Sequence, residues 1–111
     1  MTAKPPLPDR FNLPDEVNGW VHDPDSNRNG HVWTASSAER SVGVFAGLAD
    51  RVRVAVFDDR VDGFCNNKKP ATREIHRDES KADATMWGVE RAIEWMQRHD
   101  PGSWNHPDVV E

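Results

Sequence analysis

Alternation of apolar and polar residues with period two is the strongest signal in the chain. Val42, Val44 and Ala46 alternate with Gly43 and Phe45. Val52, Val54 and Val56 alternate with Arg51, Arg53, Ala55 and Phe57. Successive side chains of a strand point to opposite faces, so both runs read as β-strands. Pairing Val44 with Val54 also pairs Val42 with Val56 and Ala46 with Val52. That register gathers small aliphatic groups on one face of a hairpin whose turn is Gly47 to Arg51. Upstream, Gly19-Trp20-Val21-His22 and His31-Val32-Trp33-Thr34-Ala35 read as two more strands. Downstream, Asp58-Asp59 and Asp62-Gly63 break the chain and Asn66 to Pro70 make a loop. Ala71 to Arg77 then form a weaker strand, polar enough for an edge.

The period changes after Ser80. Met86, Val89, Ala92, Ile93 and Met96 recur at helical spacing, with Ala82 and Thr85 on the same side. Ser80 followed three residues later by Asp83 fits a capping box, with Asp in place of Glu. Arg98 and His99 suit the negative end of a helix, and Pro101-Gly102 stops it. The expected fold is α+β: an antiparallel meander of four to five strands with one C-terminal helix packed on one face. A single domain over residues 17–100 lies between a proline-rich, flexible arm (1–16) and an irregular tail (101–111). Pro5, Pro6, Pro8 and Pro14 keep the arm extended, because proline fixes φ and lacks an N–H. Phe11 and Leu13 are its candidate anchors on the sheet.

Two apolar surfaces exceed what one helix covers. The second face of the central hairpin carries Gly43, Phe45, Ala55 and Phe57, with Arg53 between them. A wet sheet face is ordinarily polar, and each exposed Phe forgoes roughly 1.5–3 kcal/mol of burial. The arm, the tail through Trp104, or a second copy of the chain are the candidate covers. On the helix, Trp87, Arg91 and Trp95 lie about 100°, 140° and 180° from Met86, outside the expected core arc. Two readings are open for this stripe. Trp95 packs at the core margin while Trp87 lies against Arg91 as a cation–π pair, or the three form a contact surface of the hot-spot residue types.

The run Ala92-Ile93-Glu94-Trp95-Met96-Gln97-Arg98-His99-Asp100-Pro101, following a Val-rich sheet, resembles the C-terminal helix of small uncharacterised haloarchaeal proteins. Their helix carries a similar Ala-x-x-Trp-Met pattern before a proline. The resemblance covers roughly the last fifth of the chain and the rest only in layout. It implies a sheet-plus-helix fold in a salt-adapted cytoplasm, and no activity.

Composition adjusts this picture in a few places. A chain of 111 residues is expected to be one domain with a modest core. Five Trp supply bulk where Leu and Ile are few and Tyr is absent. The net charge of -5 does not steer the chain toward nucleic acid or anionic membrane. Arg outnumbers Lys and Asp outnumbers Glu, as in proteins of high-salt or GC-rich origin. The single Cys65 excludes an internal disulfide. No apolar leader or membrane-length stretch is present, so a cytoplasmic location is expected.

Candidate chemistry is sparse. In Asp23-Pro24-Asp25-Ser26-Asn27-Arg28-Asn29-Gly30, oxygen-bearing side chains occupy every second position, as in a calcium loop. Yet Arg28 stands where the sharp-turn glycine belongs, Thr34 replaces the bidentate glutamate, and the flanks are strands. The fragment is therefore expected to be a hairpin connector. A symmetric loop pairs Trp20 with Trp33 and His22 with His31; a tight Asn29-Gly30 turn sets Arg28 opposite His31 instead. Facing His22 and His31, with Asp23 or His76, are weak candidates for a zinc site, without any supporting ligand spacing. Polar strand positions beside a Trp pair are the simpler reading. Cys65 beside Lys68 and Lys69 has cations but no positioned base, which leaves it an incidental thiol. Asp58, Asp59 and Asp62 read as a solvated turn. No phosphate loop, nucleophile elbow or dinucleotide fingerprint occurs, so no cofactor and no catalytic residue is expected.

The expected role is a non-catalytic binding or assembly module, acting as a homodimer through Phe45, Arg53, Phe57, Trp87, Arg91 and Trp95. The alternative is a nucleic-acid-binding sheet that stacks bases on Phe45 and Phe57 beside Arg51 and Arg53. An enzyme ranks third, and no membrane partner is expected.

Overall fold

A computed structural model describes residues 5–25, 30–35, 40–46, 50–58 and 68–101. Six strands form one antiparallel sheet in chain order: β1 (Glu16–Val17), β2 (Trp20–Asp23), β3 (His31–Thr34), β4 (Arg40–Ala46), β5 (Arg51–Asp58) and β6 (Lys68–Glu74). A single helix among the described residues, α1 (Lys81–Arg98), follows. The α+β meander with a C-terminal helix is therefore as expected, with more strands than the four to five anticipated.

The additional strand is β1. Val17 pairs with Trp20 across Asn18-Gly19, whose φ values of 51° and 95° are both positive. Two-residue hairpins with positive φ at both central positions favour Asn-Gly, because their twist matches that of the strands. The strand expected over Ala71 to Arg77 instead spans Lys68–Glu74. Its start falls inside the anticipated loop because a bulge admits Pro70. Val54 pairs with Ala71 but Val56 with Lys68, which leaves one extra residue on β6. Proline lacks the ladder donor and is tolerated at such edge irregularities.

The central hairpin has the expected register, Val42 opposite Val56, Val44 opposite Val54 and Ala46 opposite Val52. The first long hairpin follows neither expected register. His22 lies opposite Trp33 and Asp23 opposite Val32, two places from the symmetric pairing. A shift of two preserves the faces, so His22, His31 and Trp33 still share one side. The Asp23 carboxylate accepts the Asp25 N–H at 3.0 Å, a local turn contact. The remainder of that connector, residues 26–29 with Asn27 and Asn29, lies outside the described residues, as do Cys65 and the turns around Asp59 and Asp62.

Helix α1 starts as its sequence dictates: the Ser80 hydroxyl accepts the Asp83 N–H at 3.0 Å. It packs chiefly on β4, β5 and β6. Val42, Val44, Val52, Val54 and Val56 are fully buried beneath it with Val89, Ala92 and Met96. Its buried face is centred about 60° from the expected one. Ala84 and Gly88 are buried, whereas Met86 and Ile93 lie at the margin. Gly88 causes the rotation. A Cβ there would lie 2.7 Å from Val44 Cγ1 and 2.9 Å from Val52 Cγ2, so the helix backbone meets the sheet at that point.

The first hairpin grips the far end of the helix. Asn18 Nδ2 donates to Met96 O at 2.8 Å, and Trp20 Nε1 donates to His99 O at 2.7 Å. Met96 O also accepts the N–H of the C-cap residue His99 at 3.3 Å, so Asn18 gives it a second donor and Trp20 satisfies the carbonyl of the cap itself. The arm covers the rest of this face. Leu7, Phe11 and Leu13 pack against the core, and the Asp15 carbonyl accepts the His22 N–H at 2.8 Å.

Candidate binding surface

The face away from the helix is set by strand alternation. Because Val42, Val44, Val54 and Val56 face the helix, Ser41, Gly43, Phe45, Arg51, Arg53, Ala55 and Phe57 face away. Register extends the face to Val21, Asp23, Val32 and Thr34 on β2 and β3, and to Thr72 and Glu74 on β6. Its centre is closed and mostly apolar: Val32, Gly43 and Ala55 are buried, with the polar Ser41 buried beside them. Phe45 and Phe57 meet edge to face at 6.0 Å, an orientation that the ring quadrupoles favour. The Phe45 ring lies directly over Gly43, where a Cβ would sit 2.6 Å from it. Both rings remain half-buried, and Arg53 sets its guanidinium 5.6 Å from the Phe45 centroid. Val21, on the same face, is 50% exposed. Of the covers anticipated for this face, the arm lies on the opposite one, and Trp104 is outside the described residues.

The helix stripe has other surroundings. Trp95 lies 5.8 Å from Trp20 and stacks on His99 at 4.4 Å, nearly parallel. The rotated helix brings it to the core margin. Trp87 has the Arg73 guanidinium 4.5 Å from its ring and that of Arg91 at 5.9 Å. Arg91 also donates to Glu94 at 2.7 Å. Arg73 and Glu79 form a two-pronged pair at 2.8 Å on each prong. Hydrogen bonding from Arg73 holds the Glu79 carboxyl down at about 2, with further help from the His76 N–H, while Glu79 in turn raises Arg73. Sequence reading did not find this pair. Arg73 alternates onto the helix face of β6, and only the fold brings Glu79 beneath it.

The histidines form an aromatic cluster. His22 lies 5.2 Å from Trp33 and 6.1 Å from His31. His31 Nε2 lies 2.8 Å from the Pro5 carbonyl; a carbonyl only accepts, so this nitrogen carries the proton. Among the described residues no group of three or more His, Cys, Asp or Glu side chains is arranged to hold a metal. His76 instead borders an open cleft of about 430 Å³ with Asp50, Arg77, Glu79 and Lys81. Among the described residues no helix is long and apolar enough to cross a membrane.

Fold and surface together define an antiparallel α+β domain with one face closed by a helix and an arm, and one aromatic face without either. No protein-family model, curated protein or solved structure matches the chain.

Proposed function

We propose that the protein is a non-catalytic assembly module that pairs with a second copy through the open face of its sheet. The supporting observation is the half-buried Phe45–Phe57 pair beside Arg53 on a face that neither helix nor arm covers. Aromatic residues and Arg are the types enriched at contact centres, and twofold pairs are the commonest assemblies. The sheet edges are poor alternatives. Strand β1 has two residues, while β6 carries Lys68, Lys69, Pro70 and a bulge, all features that discourage strand addition. Trp87, Arg91 and Trp95 are secondary candidates, since they lie on the helix side, where Trp95 packs on the buried Trp20 and Trp87 on Arg73. Light scattering on a sizing column tests the reading: twice 12.6 kDa is expected at micromolar concentration, and a clean 12.6 kDa overturns it.

A second reading, single-stranded nucleic acid on the same face, draws on Arg51 and Arg53 beside the two Phe rings. Glu74 stands 3.7 Å from Arg51 and opposes it. The four described Trp residues all lie on the helix side, so binding would be read by anisotropy of a labelled oligonucleotide at two salt concentrations. No response at either removes this reading.

A further inference from the structure

The arm and the sheet beneath it have the chemistry of a peptide and its receptor. Helix α1 lies over β4 to β6, and residues 5–14 occupy the remaining strip beside it. The strip offers side-chain N–H donors to arm carbonyls: His31 Nε2 to Pro5 O at 2.8 Å and Trp33 Nε1 to Pro14 O at 3.2 Å. Pro5 is buried, and Leu7, Phe11 and Leu13 pack on the core cluster that contains Trp20 and Trp33. Between the anchors, the Phe11 N–H closes a turn on Pro8 O at 2.9 Å. Proline carbonyls accept without an adjacent N–H to satisfy, and proline limits the entropy lost on docking. Aromatic surfaces with a few N–H donors recognise proline-rich segments for these reasons.

We infer that this strip is a receptor for proline-rich peptide segments of a partner protein, with residues 5–11 as its resident occupant in cis. The two ends of the arm differ in how firmly they are held. Leu13 to Asp15 run into β1, and the Asp15 carbonyl extends the ladder to His22. That end leaves only if the first hairpin opens, which disfavours exchange of whole arms between two copies. Residues 5–11 have no such continuity. They are held by the His31 contact, by apolar packing and by an exposed Arg10–Asp83 ion pair at 2.9 Å, and exposed pairs contribute little. A trans segment therefore displaces residues 5–11 while the Pro14 contact stays. Its recognised chemistry is a Pro-Pro-apolar-Pro run followed by a turn and an aromatic residue.

The probe is a synthetic peptide of residues 4–13, titrated into isotope-labelled full-length protein. The protein is used as wild type and as the variants Leu7→Ser and Leu7→Ser/Phe11→Ser, whose own arms dock less well. The readouts are the Trp33 indole N–H and His31 ring resonances. Saturable shifts are expected in the variants, with apparent affinity at least about tenfold weaker in wild type, because the resident arm competes. A peptide with its prolines changed to Ala should bind at least about tenfold more weakly, since its unbound state is less ordered. Absence of shifts at millimolar peptide in the folded single variant overturns the inference, as does equal binding of the Ala peptide. A mass that doubles with concentration while residues 5–11 lose their intramolecular contacts also overturns it, in favour of a second copy's arm.

Discussion

The two faces of the sheet are built from the same two strands and reach opposite outcomes. On one, Val42, Val44, Val52, Val54 and Val56 are fully buried under a helix that comes close enough to require glycine at position 88. On the other, Phe45 and Phe57 sit edge to face over Gly43 and remain half-buried, with Val21 half exposed on the same face but three strands from Phe57. Small branched side chains let a helix approach, whereas large rings stand off the sheet and cover their own neighbours. The first face is finished within the chain. On the second, the two half-buried rings forgo part of the roughly 1.5–3 kcal/mol that full burial of each Phe supplies.

This contrast breaks most severely at Trp20. The residue is fully buried, and its indole N–H satisfies the His99 carbonyl. Trp20→Ala is expected to cost about 3–5 kcal/mol in urea unfolding, through a cavity and a lost hydrogen bond. A cost below about 1 kcal/mol would mean that the helix end is held some other way. Gly88→Ala comes next. Its methyl group would overlap Val44 and Val52, so a loss of about 1–3 kcal/mol is expected where helix propensity alone forecasts a gain.

At the rim of the closed face, pH sharpens the picture. The Glu79 carboxyl is lowered from 4.5 to about 2, chiefly by its hydrogen bonds from Arg73. A depressed carboxylate contributes stability above its unfolded value and loses it as pH falls through the folded one. Stability should therefore decline between pH 4.5 and about 2, and Glu79→Gln should flatten that decline. At neutral pH the same variant is expected to lose about 1 kcal/mol, since the pair is only partly shielded from water. Smallest of all, Val21→Lys on the open face should change monomer stability by less than about 0.5 kcal/mol, yet weaken association measured by sedimentation.

How much of this was legible in the sequence depends on where each determinant lies. The central hairpin was readable because unbroken alternation with β-branched residues fixes its faces, and the short connection between Ala46 and Arg51 fixes its register. The helix and its Ser80 cap were readable because capping chemistry is local. Strand β1 was missed although its Asn18-Gly19 signal was present, since two residues leave no periodicity to detect. The register of the β2–β3 hairpin was not readable. Shifts by two keep the same faces, so burial does not choose between them. The helix rotation depends on a glycine meeting two valines on other elements, and the Arg73–Glu79 pair depends on the turn after β6 bringing Glu79 back to the face on which Arg73 lies. On the open face, Gly43, Phe45, Arg53, Ala55 and Phe57 of the central hairpin face as alternation indicates, because orientation is local even when the partner is not.

The most direct test of the two-faced account compares Phe45→Asp with Trp87→Ala by sedimentation equilibrium, with unfolding curves confirming that both fold. Phe45→Asp should sediment as a folded monomer of about 12.6 kDa, while Trp87→Ala stays a dimer like the wild type. A Phe45→Asp protein that remains dimeric, or a Trp87→Ala protein that alone dissociates, would contradict the assignment of assembly to the open sheet face.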